Sequence, residues 1–211
     1  MPQGRTGSMY AFQQESVTPD IVTIGKALGG GFIPLAGVLV NQHIVETLRV
    51  GSGVFQHGHT FQAHPVACAM ALAVQETIAE DNLLENVRTM STVLETALRE
   101  VLGAEKYIGD IRGRGLLWGV EFVADRETKE PFDAEVGFGV RVQTRAWELG
   151  VAVYPGTGTV DGVRGDHVIL APPFTVSKED ISRAVEVLSR AYLEVVGEVE
   201  SGVIKQVARG F

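Results

Sequence analysis

The stretch Pro19-Asp20-Ile21-Val22-Thr23-Ile24-Gly25-Lys26-Ala27-Leu28-Gly29-Gly30-Gly31 decides how this 211-residue chain is read. Its first part has the length and β-branched composition of a buried strand, and residues 35–40 read as a second one. Between them stands a lysine with one glycine directly before it and three soon after. Glycine leaves room where a side chain would collide with a ligand, and a desolvated lysine has a lowered pKa and becomes a usable nucleophile. On spacing alone, a glycine-rich turn carrying a solvated lysine fits better. A phosphate-binding P-loop does not fit. It needs a Ser or Thr after the lysine and another glycine five residues before Gly25, and Ala27 and Asp20 occupy those places.

Downstream, Pro65 suits the first position of a helix, where its missing N–H has no partner to lose, and the helical pattern runs over 65–79. After a break at Asp81-Asn82, the apolar residues Leu84, Val87, Leu94, Leu98 and Val101 or Leu102 recur at helical spacing until Gly103. Beyond it the texture is that of a smaller α/β unit: strands over 116–123, 151–154 and 167–171, an amphipathic helix over 138–149 and a last helix over 178–196. Ser177, with Asp180 three residues on, marks the start of that last helix.

A chain with 45% hydrophobic and 21% charged residues can bury a core, and its net charge of -8 gives no electrostatic reason to bind nucleic acid or an anionic membrane. No run approaches a membrane span and no signal peptide opens the sequence, so the expected location is the cytoplasm. The single cysteine, Cys68, lies in the apolar run 66–74 and reads as a small buried hydrophobe.

Four ordered blocks add a resemblance. Gly4-Arg5-Thr6-Gly7 followed by the Lys26 stretch, Gly58-His59-Thr60-Phe61-Gln62-Ala63-His64-Pro65-Val66-Ala67-Cys68-Ala69, Arg112-Gly113-Arg114-Gly115-Leu116-Leu117-Trp118-Gly119-Val120-Glu121, and Ala171-Pro172-Pro173-Phe174 are together similar to the class III aminotransferases. The resemblance implies an α/β protein holding part of the fold type I architecture of pyridoxal-phosphate-dependent transferases. Residues 1–80 would be the C-terminal part of the large cofactor-binding domain, 81–103 a connecting helix and 104–211 the small α/β C-terminal domain. It implies pyridoxal 5'-phosphate as cofactor, Lys26 as the Schiff-base lysine, and His59 and Thr60 as cofactor-binding residues, with Thr60 reaching the phosphate of a neighbouring subunit in a homodimer. The substrates implied are a small-molecule amino donor and a 2-oxo acid acceptor.

The sequence also departs from that family. Relatives are longer, and their additional N-terminal part carries a phosphate cup, an aromatic that stacks on the cofactor ring and an aspartate for the pyridinium nitrogen. Here only Met1-Pro2-Gln3 precede the first block. A C-terminal half is therefore expected, doubtful as a transaminase on its own and dependent on a partner to cover its sheet edges. Two alternatives stand beside it, a cofactor-free association module and a decarboxylase, racemase or aminomutase using the same lysine. Ile169 occupies a position where relatives acting on α-carboxylates often carry arginine, leaving Arg164 as a candidate substitute. His57, His59 and His64 lack the neighbouring Cys or paired acid of a metal site, so no metal is expected. The glycines at 113, 115 and 119 sit at the start of a strand, not of a helix, which argues against a dinucleotide site, and Arg112 and Arg114 read as a solvated or salt-bridged turn ahead of the alternative, substrate contacts.

Overall fold

In the computed structural model, which describes residues 3–204, the apolar run before Lys26 forms β1 (Ile21–Ile24), and it pairs antiparallel with β2 (Gly37–Val40), Ile21 lying opposite Val40 and Ile24 opposite Gly37. The chain divides into two units, the first ending at Val87 and the second beginning at Arg88. β1 and β2 are a two-stranded ribbon within the first unit. The expectation that both strands are buried is corrected here: Ile21, Val38, Leu39 and Val40 are exposed. Their β-branched composition suits a strand covered on both faces, and two strands alone cannot cover one another's faces.

The helices of the first unit are α1 (Gln42–Val50), which the sequence reading does not anticipate, and α2 (Pro65–Glu80). Pro65 occupies the first turn of α2 as expected. That helix is apolar nearly all round, yet it buries only Ala67, Ala71 and Ile78. A helix of this composition belongs in an interior. Its other faces, including Val66, Met70 and Leu72, are open, and so is Cys68. The expectation of a buried thiol fails for that reason.

The helix α3 (Leu83–Leu102) stops where predicted, since a Cβ on Gly103 would run into the carbonyl oxygen of Arg99. The second unit is built on four antiparallel strands in the order β3-β4-β6-β5: β3 (Ile108–Arg114), β4 (Leu117–Phe122), β5 (Tyr154–Gly156) and β6 (Asp166–Leu170). Alternation turns Trp118, Val120 and Phe122 of β4, with Val168 and Leu170 of β6, into the core. α4 (Phe138–Glu148) contributes Phe138, Val142 and Ala146 to it, and α5 (Lys178–Glu200) contributes Ile181, Val185, Leu188 and Tyr192. Phe132 stacks on Phe138 with ring centroids 4.6 Å apart, and Phe122 lies 5.0 Å from Phe138. This is a genuine packed interior.

Two details differ from expectation. β3, read as a turn around Arg112 and Arg114, is an edge strand. Gly113 allows it to pass close to β4, because a Cβ there would meet the Leu117 carbonyl oxygen and the Trp118 ring. β5 begins at Tyr154, later than expected, because Val151 still donates to the Ala146 carbonyl in the wrap that ends α4 through Gly150 at φ 91°.

Candidate active site

Lys26 opens a 3-10 turn, Lys26–Gly29, immediately after β1, with its own backbone in the left-handed region at φ 51°. A non-glycine residue held there is strained, and such strain concentrates at functional positions. The Leu28 N–H donates to the Gly25 carbonyl and the Gly30 N–H to the Ala27 carbonyl, closing the turn. Gly30, at φ 61°, lies so close to α2 that a Cβ would sit 3.0 Å from Val74 Cγ2. The Gln75 amide of α2 donates to the Leu28 carbonyl at 3.3 Å, fastening the turn to the helix from the other side.

A cavity of about 730 Å³ lies beside this turn. Lys26 and His59 both line it, with Gln62 and His64, against an apolar wall of Ile33, Pro34, Leu35 and Ala36. Thr60 is exposed in the turn closed by the Gln62 N–H donating to the His59 carbonyl, and it is not among the lining residues. Lys26 is itself exposed, so this chain does not supply the desolvation that the sequence argument assumed. The apolar wall and the lining residues Gln62, His64 and Ala67 were not singled out from sequence as cofactor contacts. One signal was available for His64, since the residue before a proline at the first helical position is the N-cap. It does cap α2, its Nδ1 accepting the Ala67 N–H at 3.4 Å.

The donor set suits a flat aldehyde bearing a phosphate in most respects: a primary amine for the carbonyl carbon, imidazole and amide groups for phosphate oxygens, and an apolar wall for a ring. A carboxylate to pair with a ring nitrogen is not among the residues lining the cavity. The profile of the class-III aminotransferases matches residues 3–192. The chain belongs to the class III aminotransferases.

An aminotransferase of Gibberella zeae is 48% identical over 195 residues, 92% of this chain and 38% of its own length. Gamma aminobutyrate transaminase 2 of Solanum lycopersicum is 36% identical over 200 residues, 93% of this chain and 42% of its own. Among solved structures, a transaminase from the marine bacterium Virgibacillus superposes with a TM-score of 0.88 at 33% identity, covering 93% of this chain and 44% of that one. The chain thus spans less than half the length of these relatives and shares their fold type I architecture over that span. Membership in the class III family implies pyridoxal phosphate as cofactor.

The remaining candidates separate cleanly. Among the described residues no group of three His, Cys, Asp or Glu could hold a metal ion. Arg112 is paired with Asp110 and Glu121 at 3.0 and 2.6 Å, the ion-paired role expected of it, on a strand instead of a turn. Arg164 is engaged as well, by Asp161 at 2.8 Å and Glu130 at 2.7 Å. The Arg164 backbone N–H, then its guanidinium and the Val163 N–H, hold the Asp161 carboxyl down at about 2. Ile169 sits on β6 opposite Gly119 on one side and Tyr154 on the other, with no arginine at that position. No helix among the described residues is long and apolar enough to cross a membrane.

Proposed function

We propose that this chain supplies the lysine-bearing part of a pyridoxal-phosphate-dependent transaminase that moves an amino group from an amine or amino acid to a 2-oxo acid. The observation that carries the reading is Lys26, on a strained turn at the wall of a cavity that also collects His59, Gln62 and an apolar surface. When bound, the cofactor supplies an electron sink for negative charge at the substrate carbon that bears the amine. Lys26 Nζ would hold the cofactor covalently, and its free amine would move the proton at that carbon. His59 offers a hydrogen bond within the cavity, and Thr60, exposed and outside the cavity lining, serves the cofactor phosphate of a neighbouring subunit in a homodimer. The carboxylate for the ring nitrogen comes from a completing polypeptide.

The donor we favour is an amine or ω-amino acid. The tomato relative is named for gamma aminobutyrate, Ile169 offers no guanidinium, and Arg164 is already committed to Asp161 and Glu130. The lone exposed thiol of Cys68 suits a reducing compartment, and we place the protein in the cytoplasm. Incubation with pyridoxal phosphate, borohydride reduction and peptide mass mapping should place the adduct at Lys26 and lose it in Lys26→Ala. Labelling spread over surface lysines and unaltered in that variant would overturn the assignment. Thr60→Val should weaken cofactor affinity in the assembled dimer.

A second reading, an association module without cofactor, is favoured by the open apolar side chains of the first unit, among them Phe32 and Phe61. It predicts no adduct and stable capture of a partner chain. Decarboxylase, racemase or aminomutase chemistry would use the same lysine, and product analysis of the completed protein separates those outcomes.

A further inference from the structure

A groove of about 710 Å³ lies wholly within the second unit, between the end of α3 and α5. Its floor is apolar, made by Ala97 and Val101 of α3 and by Val185 and Leu193 of α5. Val101 and Leu193 are exposed, although Leu98, Leu102 and Leu188 are buried on the core side of the same helices. An apolar stripe that faces away from the core does not stabilise the unit, and such stripes mark contact surfaces.

Charge and shape narrow the occupant. Arg190, the one cation lining the groove, is taken by Glu194 at 3.1 Å. The carboxylates of Glu100 and Glu186 flank the floor from the two helices, and among the described residues neither has an ion-pair partner. An apolar floor between two anionic rims complements apolar side chains flanked by Lys or Arg. Both walls are helices whose backbone groups bond within the helix, so they offer nothing to the amides of an extended peptide. A helix arrives with its own backbone bonds made. Gly197 extends the same face of α5, four residues beyond Leu193 and seven beyond Arg190. Outside its own helix backbone and chain neighbours, no atom lies within 4 Å of where its Cβ would stand, so nothing within this chain requires glycine there. Glycine weakens a helix interior, and its use at such a place is to let another backbone approach closely.

We propose that this groove receives a helix of another polypeptide, basic and amphipathic. Its apolar stripe lies on Val101 and Leu193, its Lys or Arg side chains lie beside Glu100 and Glu186, and its backbone passes over Gly197. From Ser182 to Gly197 the α5 wall is about 22 Å long at 1.5 Å per residue, or about four helical turns. A synthetic helix of Leu, Ala and Lys, about 15 residues long to match that wall, serves as probe for the full chain in fluorescence anisotropy and NMR. Binding should weaken with added salt and should shift the amide resonances of residues 97–101 and 182–197. The double variant Glu100→Gln and Glu186→Gln should weaken it about fivefold, the scale of two exposed ion pairs. Gly197→Leu should raise the Tm, because leucine is the better helix former, yet weaken the probe at least about fivefold. A raised Tm with unchanged affinity would overturn the placement over Gly197. Equal binding of a proline-interrupted probe would overturn the helical occupant, and equal binding of a probe with Glu in place of Lys would overturn the charge match. Self-association of the chain through this face, abolished by Leu193→Glu and accompanied by no binding of the basic probe, would make the occupant a second copy and defeat the proposal.

Discussion

The phenol of Tyr192 lies inside the second unit, in contact with Phe122 and Phe138, and its oxygen accepts the Tyr107 N–H at 3.1 Å. Burial pushes its pKa up to about 12. A folded-state value above the ordinary one means that the stabilisation is complete below pH 10 and is lost as pH rises toward 12. Urea unfolding between pH 8 and 12 should therefore show a steep alkaline loss in the parent and a flatter profile in Tyr192→Phe. At neutral pH that variant should be roughly 1–3 kcal/mol less stable, because it leaves the Tyr107 N–H buried without its acceptor. Gly30 makes a different case. Gly30→Ala places a Cβ at positive φ and against Val74, and should cost roughly 1–2 kcal/mol of local stability, read as faster amide exchange in the Lys26–Gly29 turn.

At the scale of elements, α5 shows how local chemistry sets a boundary. The Ser177 hydroxyl accepts the Asp180 N–H at 3.1 Å while the Asp180 carboxylate accepts the Ser177 N–H at 3.0 Å. Ser177→Ala should lower stability by about 1 kcal/mol in thermal unfolding. The Ser177 N–H and then its hydroxyl, both donating to the carboxylate, hold the Asp180 carboxyl below its ordinary range, so its contribution is present above that range and fades as acid protonates it. The stability gap between parent and variant should narrow accordingly at low pH. Signals of this kind lie within a few residues of one another, which is why α2, α3, α4 and α5 are legible from periodicity, proline, glycine and caps. β3 is not. Its Gly109, Arg112, Gly113 and Arg114 lack a strand's composition, and it exists because β4 provides hydrogen bonds on one side. Lys26 and His59 stand out in sequence, but the apolar wall at Ile33, Pro34, Leu35 and Ala36 becomes visible only when the chain folds back on the turn. Composition likewise marks β1 and β2 as needing cover without saying what supplies it.

Across the whole molecule, apolar surface is divided unevenly. Phe32 and Phe61 are each 75% exposed and Val50 81%, all in the first unit, whereas Phe138, Leu188 and Tyr192 of the second are 0% exposed. Burial at ~25 cal/mol per Å² is what offsets the entropy of ordering a chain, so the two units cannot be equally stable. Hydrogen exchange on the full chain should find strong protection in β4, β6, α4 and α5 and weak protection in β1, β2 and α1. Limited proteolysis should cut first within residues 42–64 and leave a resistant C-terminal product. Relatives that this chain covers to only 38–42% have further polypeptide with which to cover such faces. Co-expression with the N-terminal half of a close relative should raise protection in β1, β2 and α2 and lower the tendency of the chain to associate with itself. Uniform protection in the chain alone, with monomeric behaviour and one cooperative unfolding transition, would show that the first unit is self-sufficient and that its open apolar faces need no partner.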